Sequence, residues 1–174
     1  MPCFCRPYVL ACLFFAACSP ALNWREVTLQ DTSITALLPC KPDASRRKIN
    51  LAGQDVDMFL QSCQADGATF AVAHVSLPDA GQVPAALAHW QKATWAHVAV
   101  VSPTPNLIPA LLQVSTAAGP QTWWLGKGQR SNGEAVEVSA VWMAQGRRLV
   151  QAAIYAPVSQ SSWREPFFDG LKLQ

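Results

Sequence analysis

Alternating apolar and polar residues, interrupted by short turn sequences, run through most of the chain after residue 23. A period of two residues is typical of strands with one buried face, and Asn132-Gly133 is a strong hairpin dipeptide. The predicted strands are residues 24–29, 33–38, 48–51, 56–60, 69–77, 110–116, 122–127, 135–143 and 148–155. The pattern therefore predicts an antiparallel sheet assembled from hairpins.

Two segments have a helical period instead. Residues 79–100 are the longer one, and residues 159–171 are predicted to form a short terminal helix that bends or starts late because of Pro166. The apolar face of the longer helix is formed by Val83, Leu87, Trp90, Thr94 and Val98. These elements predict an α+β fold: an antiparallel β-sheet with N-terminal hairpins, one long central helix and a short C-terminal helix.

Prolines and polar residues predict two interruptions of the sheet. Pro39 and Pro42 end the second strand, because proline donates no hydrogen bond to a ladder, and residues 43–47 are predicted to be a polar loop. Residues 102–106, which contain two more prolines, are predicted to break the chain and cross an end of the sheet.

The composition is that of one globular domain with a sizeable core. Of the 174 residues, 51% are hydrophobic and 14% are charged, which argues against a disordered chain. A net charge of +2 gives no strong attraction to polyanions, so we expect no nucleic-acid partner.

The first 18 residues are predicted to be an export signal. Arg6 supplies a positive charge, and residues 8–17 are an apolar run too short to span a bilayer. The run ends in Phe15-Ala16-Ala17-Cys18, which resembles the bacterial lipobox except that Phe15 stands where leucine is usual. We therefore expect residues 1–18 to contain a signal peptide with a lipobox, and Cys18 to be lipidated.

Lipidation at Cys18 would anchor the protein to a bacterial membrane, facing the periplasm. Residues 19–23 would then be a short tether and residues 24–174 the folded domain. Ser19 stands where an aspartate favours retention in the inner membrane, so the outer membrane is the expected location. The alternatives are secretion without lipid, and an uncleaved anchor or a wrongly assigned start. A competing lipobox that ends at Cys12 would leave almost no apolar run before it.

The remaining cysteines support export. Cys3, Cys5 and Cys12 would leave with the signal, so the domain would keep one pair, Cys40 and Cys63. A lone pair in an oxidising compartment is expected to form a disulfide, which would stabilise the fold by about 3 kcal/mol. A zinc site is disfavoured because no histidine lies at ligand spacing, so we expect no metal.

Several segments resemble a known family. They are a tryptophan-led first strand, Leu-Leu-Pro-Cys-Lys-Pro at residues 37–42, Gly-Ala-Thr-Phe-Ala-Val at residues 67–72, the Asn-Gly hairpin, Gly-Arg-Arg-Leu-Val-Gln-Ala at residues 146–152 and a terminal Phe-Phe helix. Over residues 24–171 the chain resembles uncharacterised beta-proteobacterial lipoproteins and, more distantly, the PsbP-like α/β/α sandwich. The resemblance implies that fold and a role as an assembly subunit or adaptor, and it implies no catalytic residues.

The sequence contains no recognisable catalytic set, and we expect neither catalysis nor a cofactor. Gly126-Lys127-Gly128 lacks the upstream glycine and the following hydroxyl residue of a phosphate-binding loop, so it is interpreted as the end of a hairpin strand. His74, His89 and His97 are too dispersed to form a ligand cluster and are interpreted as structural.

Two charged groups near the second hairpin have alternative interpretations. Asp55 and Asp57 point the same way from a strand, which suits a solvated rim but also an acid/base pair or a calcium site. Arg46, Arg47 and Lys48 are interpreted as part of a solvated loop, with contact to anionic lipid near the anchor as the functional alternative.

Three tryptophans form the candidate binding surface. Trp123 and Trp124 are adjacent strand residues, so their rings face opposite sides of the sheet. Trp142 lies on the neighbouring strand and can join either ring. We expect core packing or, alternatively, a surface for a small hydrophobic ligand or a partner.

These observations favour a non-enzymatic exported lipoprotein that binds a protein or another envelope component through its sheet or hairpin surface. The alternative is a carrier of a small hydrophobic ligand, with an aromatic cleft at Trp123, Trp124 and Trp142. An enzyme is the least favoured class.

Overall fold

A computed structural model describes residues 21–100, 103–107 and 122–172, which form nine strands and two α-helices. The strands are β1 (Arg25–Thr28), β2 (Thr35–Leu38), β3 (Asp43–Leu51), β4 (Gln54–Ala65), β5 (Ala68–Ser76), β6 (Thr104–Leu107), β7 (Thr122–Gln129), β8 (Ala135–Gln145) and β9 (Arg148–Ala156). The helices are α1 (Val83–His97), which follows a 3-10 turn at Ala80–Gln82, and α2 (Ser161–Asp169).

The strands form two antiparallel sheets. β1 and β2 make a separate two-stranded sheet, and the other seven strands follow the order β3-β4-β5-β9-β8-β7-β6. The predicted α+β architecture is confirmed, with hairpins at the N-terminal side, a long central helix and a short C-terminal helix. The strand predicted at residues 110–116 lies outside the described residues.

The seven-stranded sheet is covered on both faces. On one of them, the hairpin face, the β1–β2 hairpin and α2 bury a core that contains Phe70, Val72 and Phe167. On the other, the α1 face, helix α1 buries a core that contains Ala73 and Val75. Successive residues of β5 therefore alternate between two cores, as the two-residue period of a strand requires.

Two predicted interruptions of the sheet were wrong. Residues 43–47 were predicted to be a loop and residues 102–106 to cross an end of the sheet, but residues 43–47 and 104–106 lie in strands. Residues 43–47 are the first half of β3, and Thr104–Leu107 form β6, which pairs with β7. Side chains 43–48 are exposed on both faces of β3, so the apolar alternation that marks a half-buried strand is missing there. Pro105 is tolerated in β6, because within the described residues β6 forms ladder hydrogen bonds on one side only, with β7.

Helix α1 is shorter than the predicted residues 79–100. The Asp79 carboxylate accepts a hydrogen bond from the Gly81 N–H at 2.9 Å and caps the 3-10 turn, after which the α-helix begins with Pro84 in its first turn. Trp90 is buried on the predicted face, and Trp95, which the periodicity did not single out, is buried as well. Helix α2 continues through Pro166, and the helix ends at Asp169.

Candidate functional site

The two cysteines of the domain form the predicted disulfide. The sulfur atoms of Cys40 and Cys63 are 2.03 Å apart, and their Cα atoms are 5.9 Å apart. Cys40 follows the end of β2, and Cys63 lies near the end of β4. The bond therefore ties the small β1–β2 sheet to the large sheet. Residues 39–42, which contain Cys40 between two prolines, are called the disulfide corner below.

The chain enters the fold at this same corner. The N–H of Asn23 donates a hydrogen bond to the carbonyl of Pro39 at 2.7 Å, immediately before Cys40. The last residues of the predicted tether are thus held beside the disulfide. Residues 1–20, which include the predicted lipidation residue Cys18, lie outside the described residues.

The three candidate tryptophans do not form one group. Trp123 pairs with Val141 and packs on the hairpin face, whereas Trp124 pairs with Ala140 and packs on the α1 face. Trp142 shares the α1 face with Trp124. All three side chains are partly buried, and no single cleft is lined by all of them because they lie on opposite faces of one sheet.

Trp142 packs beneath helix α1. Its ring meets the ring of Trp95 edge to face, with 5.5 Å between the ring centres. Its cross-strand neighbour Gln151 donates a hydrogen bond to the hydroxyl of Thr94 at 2.9 Å. Among the described residues the indole N–H of Trp142 is buried without an acceptor. These contacts place Trp142 within the packing of the α1 face.

Trp123 belongs to a polar network at the start of α2. The guanidinium of Arg164 lies 4.8 Å from the centre of the Trp123 ring and donates to the hydroxyl of Ser159 at 2.9 Å. The Ser159 hydroxyl also contacts that of Ser139 at 2.9 Å, and the Ser159 N–H donates to Glu137 at 2.8 Å. The network fastens the loop before α2 to strand β8.

Glu137 is the anionic member of this network. Its Oε1 lies 2.7 Å from the Nζ of Lys127, and the hydrogen bond from Lys127 holds the pKa of Glu137 below its ordinary value. The Ser159 N–H and the charge of Arg164 act in the same direction. A carboxylate kept ionised in this way is suited to fasten a loop and is poorly suited to deliver a proton near neutral pH.

The basic residues of β3 and the aspartates of β4 face one another. Asp57 accepts a hydrogen bond from Arg46 at 2.7 Å and lies 3.9 Å from the Nζ of Lys48. Asp55 instead accepts a hydrogen bond from the side-chain amide of Asn50 at 2.8 Å. Because the two aspartates have different partners, the geometry favours a solvated rim over a shared acid/base or calcium site.

The histidines are kept apart, as their dispersal in the sequence suggests. His89 and His97 are exposed on α1, and the Nδ1 of His89 accepts a hydrogen bond from the N–H of Ala52 at 2.6 Å. His89 thereby links α1 to the β3–β4 turn, which is a structural contact.

His74 is a buried titratable group on the hairpin face. It is 3% exposed and stacks on Phe59, with 5.0 Å between the ring centres. Neither of its ring nitrogens has a well-aligned hydrogen bond within the described part of the chain. Burial, and after it the charge of Arg148, lowers the pKa of His74, while the main chain of Gln30 and the charge of Asp31 oppose this more weakly.

We expect the protein to lose stability in mild acid because of His74. The unfolded chain binds a proton at the ordinary histidine pKa of about 6.5, whereas the buried ring binds one only at lower pH. The unfolded state therefore holds more protons between these two pKa values. The free energy of unfolding should be level above about pH 7 and fall below about pH 6.5, by at most about 1.4 kcal/mol per pH unit.

Urea unfolding at a series of pH values measures this dependence. The variant His74→Phe should flatten the slope below about pH 6.5, because it removes the titrating group. The matched variant His97→Gln, at an exposed position on α1, should keep the slope. A slope that survives in His74→Phe would show that another group causes it.

A cleft of about 790 Å³ lies at the end of the sheet nearest the disulfide. It is lined by the β4–β5 turn, the β7–β8 hairpin and Pro157, and its charged side chains are Asp66, Arg130 and Glu134. None of the three candidate tryptophans lines it. No sequence pattern indicates this cleft, because its walls come from turns that are neighbours only in the folded chain.

Within residues 21–100, 103–107 and 122–172, no group of three or more His, Cys, Asp or Glu residues is arranged to hold a metal ion. Over that same part of the chain, no helix is both long enough and apolar enough to cross a membrane. No model of a known protein family matches the chain, and no curated protein matches it significantly.

Proposed function

We propose that this protein is an exported lipoprotein, anchored through an acylated Cys18, whose domain binds a protein or another envelope component and catalyses no reaction. The observation that carries the proposal is the disulfide between Cys40 and Cys63. Disulfides persist in exported proteins and are rare in the reducing cytosol. The disulfide therefore supports the export on which lipidation depends.

The short distance along the chain between Cys18 and the start of the fold supports the proposal that the domain is held close to the membrane. Asn23 is fixed at the disulfide corner, five residues after Cys18. Five extended residues span at most about 18 Å. A domain on so short a tether meets partners in a narrow layer above the bilayer, which suits an adaptor or assembly subunit. Ser19 supports the outer membrane as the location, facing the periplasm.

The proposed contact surface is the outside of the β1–β2 hairpin. This hairpin forms a sheet of its own, with Glu26 and Thr28 exposed. It is held to the rest of the domain by the disulfide and by pairing of Thr35 with Lys172. Within the described residues β2 is the only strand that pairs with β1. The carbonyl of Thr28 accepts a hydrogen bond from the side chain of Gln61 at 3.4 Å, which a partner strand added to β1 would have to displace.

Site-specific photo-crosslinking in intact cells tests this surface. A photoreactive residue in place of Thr28 should give a discrete adduct with one envelope component. The same residue in place of Lys92, which is exposed on α1, is the matched control and should give none. No adduct at Thr28, or the same adducts at both positions, would contradict the proposed surface.

A second candidate function is the binding of a small ligand. The cleft of about 790 Å³ favours it, because ligand pockets commonly measure about 300–1,000 Å³. Asp66, Arg130 and Glu134 in its walls suit a polar ligand, in contrast to the hydrophobic ligand expected at the tryptophans.

We also propose the PsbP-like sandwich as the finer description of the fold. Helix α1 covers one face of the sheet, and α2 with the β1–β2 hairpin covers the other, which is the layer order of an α/β/α sandwich. This support is an analogy at the level of fold and implies no particular partner.

A further inference from the structure

We propose that the edge strand β3 contacts an anionic phospholipid surface through Arg46, Arg47 and Lys48. The inference rests on the proposed lipid anchor at Cys18 and goes beyond it, because it assigns the side of the domain that faces the bilayer. It also gives a binding role to a segment that the sequence pattern predicts to be a loop.

The position of β3 beside the tether is the first argument. Asn23 is hydrogen-bonded to Pro39, and β3 begins four residues after Pro39, at Asp43. Since five residues from Cys18 to Asn23 reach at most about 18 Å, an acylated Cys18 keeps the start of β3 near the headgroups. β3 is also an edge strand of the seven-stranded sheet, so the domain can lie on it.

The exposure of the three cations is the second argument. Arg46 and Lys48 project on the hairpin face, opposite Phe59 and Asp57, while Arg47 projects on the other face. The side chains of Arg46 and Lys48 are 57% and 84% exposed. An edge strand that carries positive charge on both of its faces can present all three cations to a surface laid against the edge.

The acidic groups around β3 do not cancel this charge. Asp57 is shared by Arg46 and Lys48 and is less exposed than either, at 29%. Arg47 forms no ion pair within the described residues, and the exposed Asp43 lies on its side of the strand, at the strand's start. Asp57 is within ion-pair distance of Arg46 and Lys48, and Asp31 also acts on Arg46 through its charge. Since Arg47 has no ion pair among the described residues, the strand keeps exposed positive charge.

The chemistry of the strand fits headgroup contact without insertion. Residues 43–48 are Asp, Ala, Ser, Arg, Arg and Lys, which offer no large apolar side chain to the acyl region. Each basic residue near an anionic leaflet raises the membrane-binding constant by about fivefold, and salt screens this attraction. The proposed ligand is therefore the phosphate of anionic phospholipids, bound in a salt-dependent way.

Charged edge strands also protect sheets against edge-to-edge aggregation. That role needs no membrane, so the two interpretations differ in one measurable respect. Protection alone leaves Lys48 equally accessible on every kind of vesicle, whereas headgroup contact shields it on anionic vesicles only.

The test is lysine footprinting of the acylated protein on vesicles. The protein is reconstituted on vesicles of phosphatidylcholine, or of phosphatidylcholine with phosphatidylglycerol, and treated with a water-soluble acetylating reagent. On the anionic vesicles the acetylation rate of Lys48 should fall by about fivefold or more and recover at high salt. Lys92, exposed on α1 in the same molecule, should react equally on both vesicles.

Charge reversal supplies the matched variants. In Arg47→Glu the acetylation rate of Lys48 on anionic vesicles should rise towards the rate on neutral vesicles. Lys92→Glu changes the net charge equally and should leave Lys48 shielded. Equal Lys48 rates on the two vesicles, or shielding on both, would overturn the inference while the anchor stands. If the protein isolated from the exporting cells carries no acyl chain and floats with neither vesicle, the lipid anchor itself is refuted instead.

Discussion

Replacing both Cys40 and Cys63 by alanine should lower the free energy of unfolding by about 3 kcal/mol. The bond joins two sheets that otherwise meet through side-chain packing and a hydrogen bond from the side chain of Gln61 to the carbonyl of Thr28. Without it, the unfolded chain regains the freedom of the segment between the two cysteines. Urea unfolding of the oxidised protein and of the double variant gives the difference directly.

Reduction provides the control for this experiment. The unsubstituted protein treated with a thiol reductant should lose about the same stability as the double alanine variant, and the variant should not respond to the reductant. A double variant as stable as the oxidised protein would show that the disulfide contributes nothing to the fold.

Gly128→Ala should destabilise the protein at or beyond the upper end of the range of about 1–3 kcal/mol that is usual for overpacking. A Cβ atom at this position would lie within 1.9 Å of the carbonyl oxygen of Val98, at the end of α1. That oxygen accepts a hydrogen bond from the N–H of Gln129 at 2.9 Å, so helix and strand cannot separate without losing this bond. Chemical denaturation measures the loss.

Two other glycines calibrate that effect. A Cβ at Gly126 would meet side-chain atoms of Val100 and Trp95 at 2.8 and 3.0 Å, and side chains can shift, so Gly126→Ala should cost less than Gly128→Ala. A Cβ at Gly81 would find its nearest neighbours at 3.6 Å, in ordinary contact, so Gly81→Ala should stay within about 0.5 kcal/mol of the unsubstituted protein. A tolerated Gly128→Ala would contradict the close approach of α1 to β7.

The parts of the fold that the sequence predicts best are the strands whose side chains are mostly buried. In β5 and β9 most residues are apolar, because both faces of the sheet are covered. The bounds of these two strands lie close to the predicted ones. The disulfide was also predictable, since the predicted loss of Cys3, Cys5 and Cys12 with the signal and the predicted lipidation of Cys18 leave the domain with one pair of cysteines. Local periodicity and cysteine counting suffice for these features.

The edge strands and the polar contacts could not be predicted in this way. The first half of β3 is exposed on both faces, so its pairing with β4 leaves no trace in the apolar pattern. The network of Ser139, Ser159 and Arg164 joins side chains from a strand, a loop and a helix, and only the fold brings them together. The structural role of His74 was predictable from its place in a buried strand, but its neighbours Phe59 and Gln30, from β4 and the β1–β2 turn, are brought to it only by the fold.

The intact mass of the exported protein tests the central claim most directly. The account predicts a mature chain whose first residue is Cys18, carrying a diacylglycerol thioether, and the same product from the variant Cys12→Ala, which removes the competing lipobox. The variant Cys18→Ala should keep the uncleaved signal and carry no lipid. A mature chain that begins at Ser19, or one in which Cys18 is unmodified, would contradict the account.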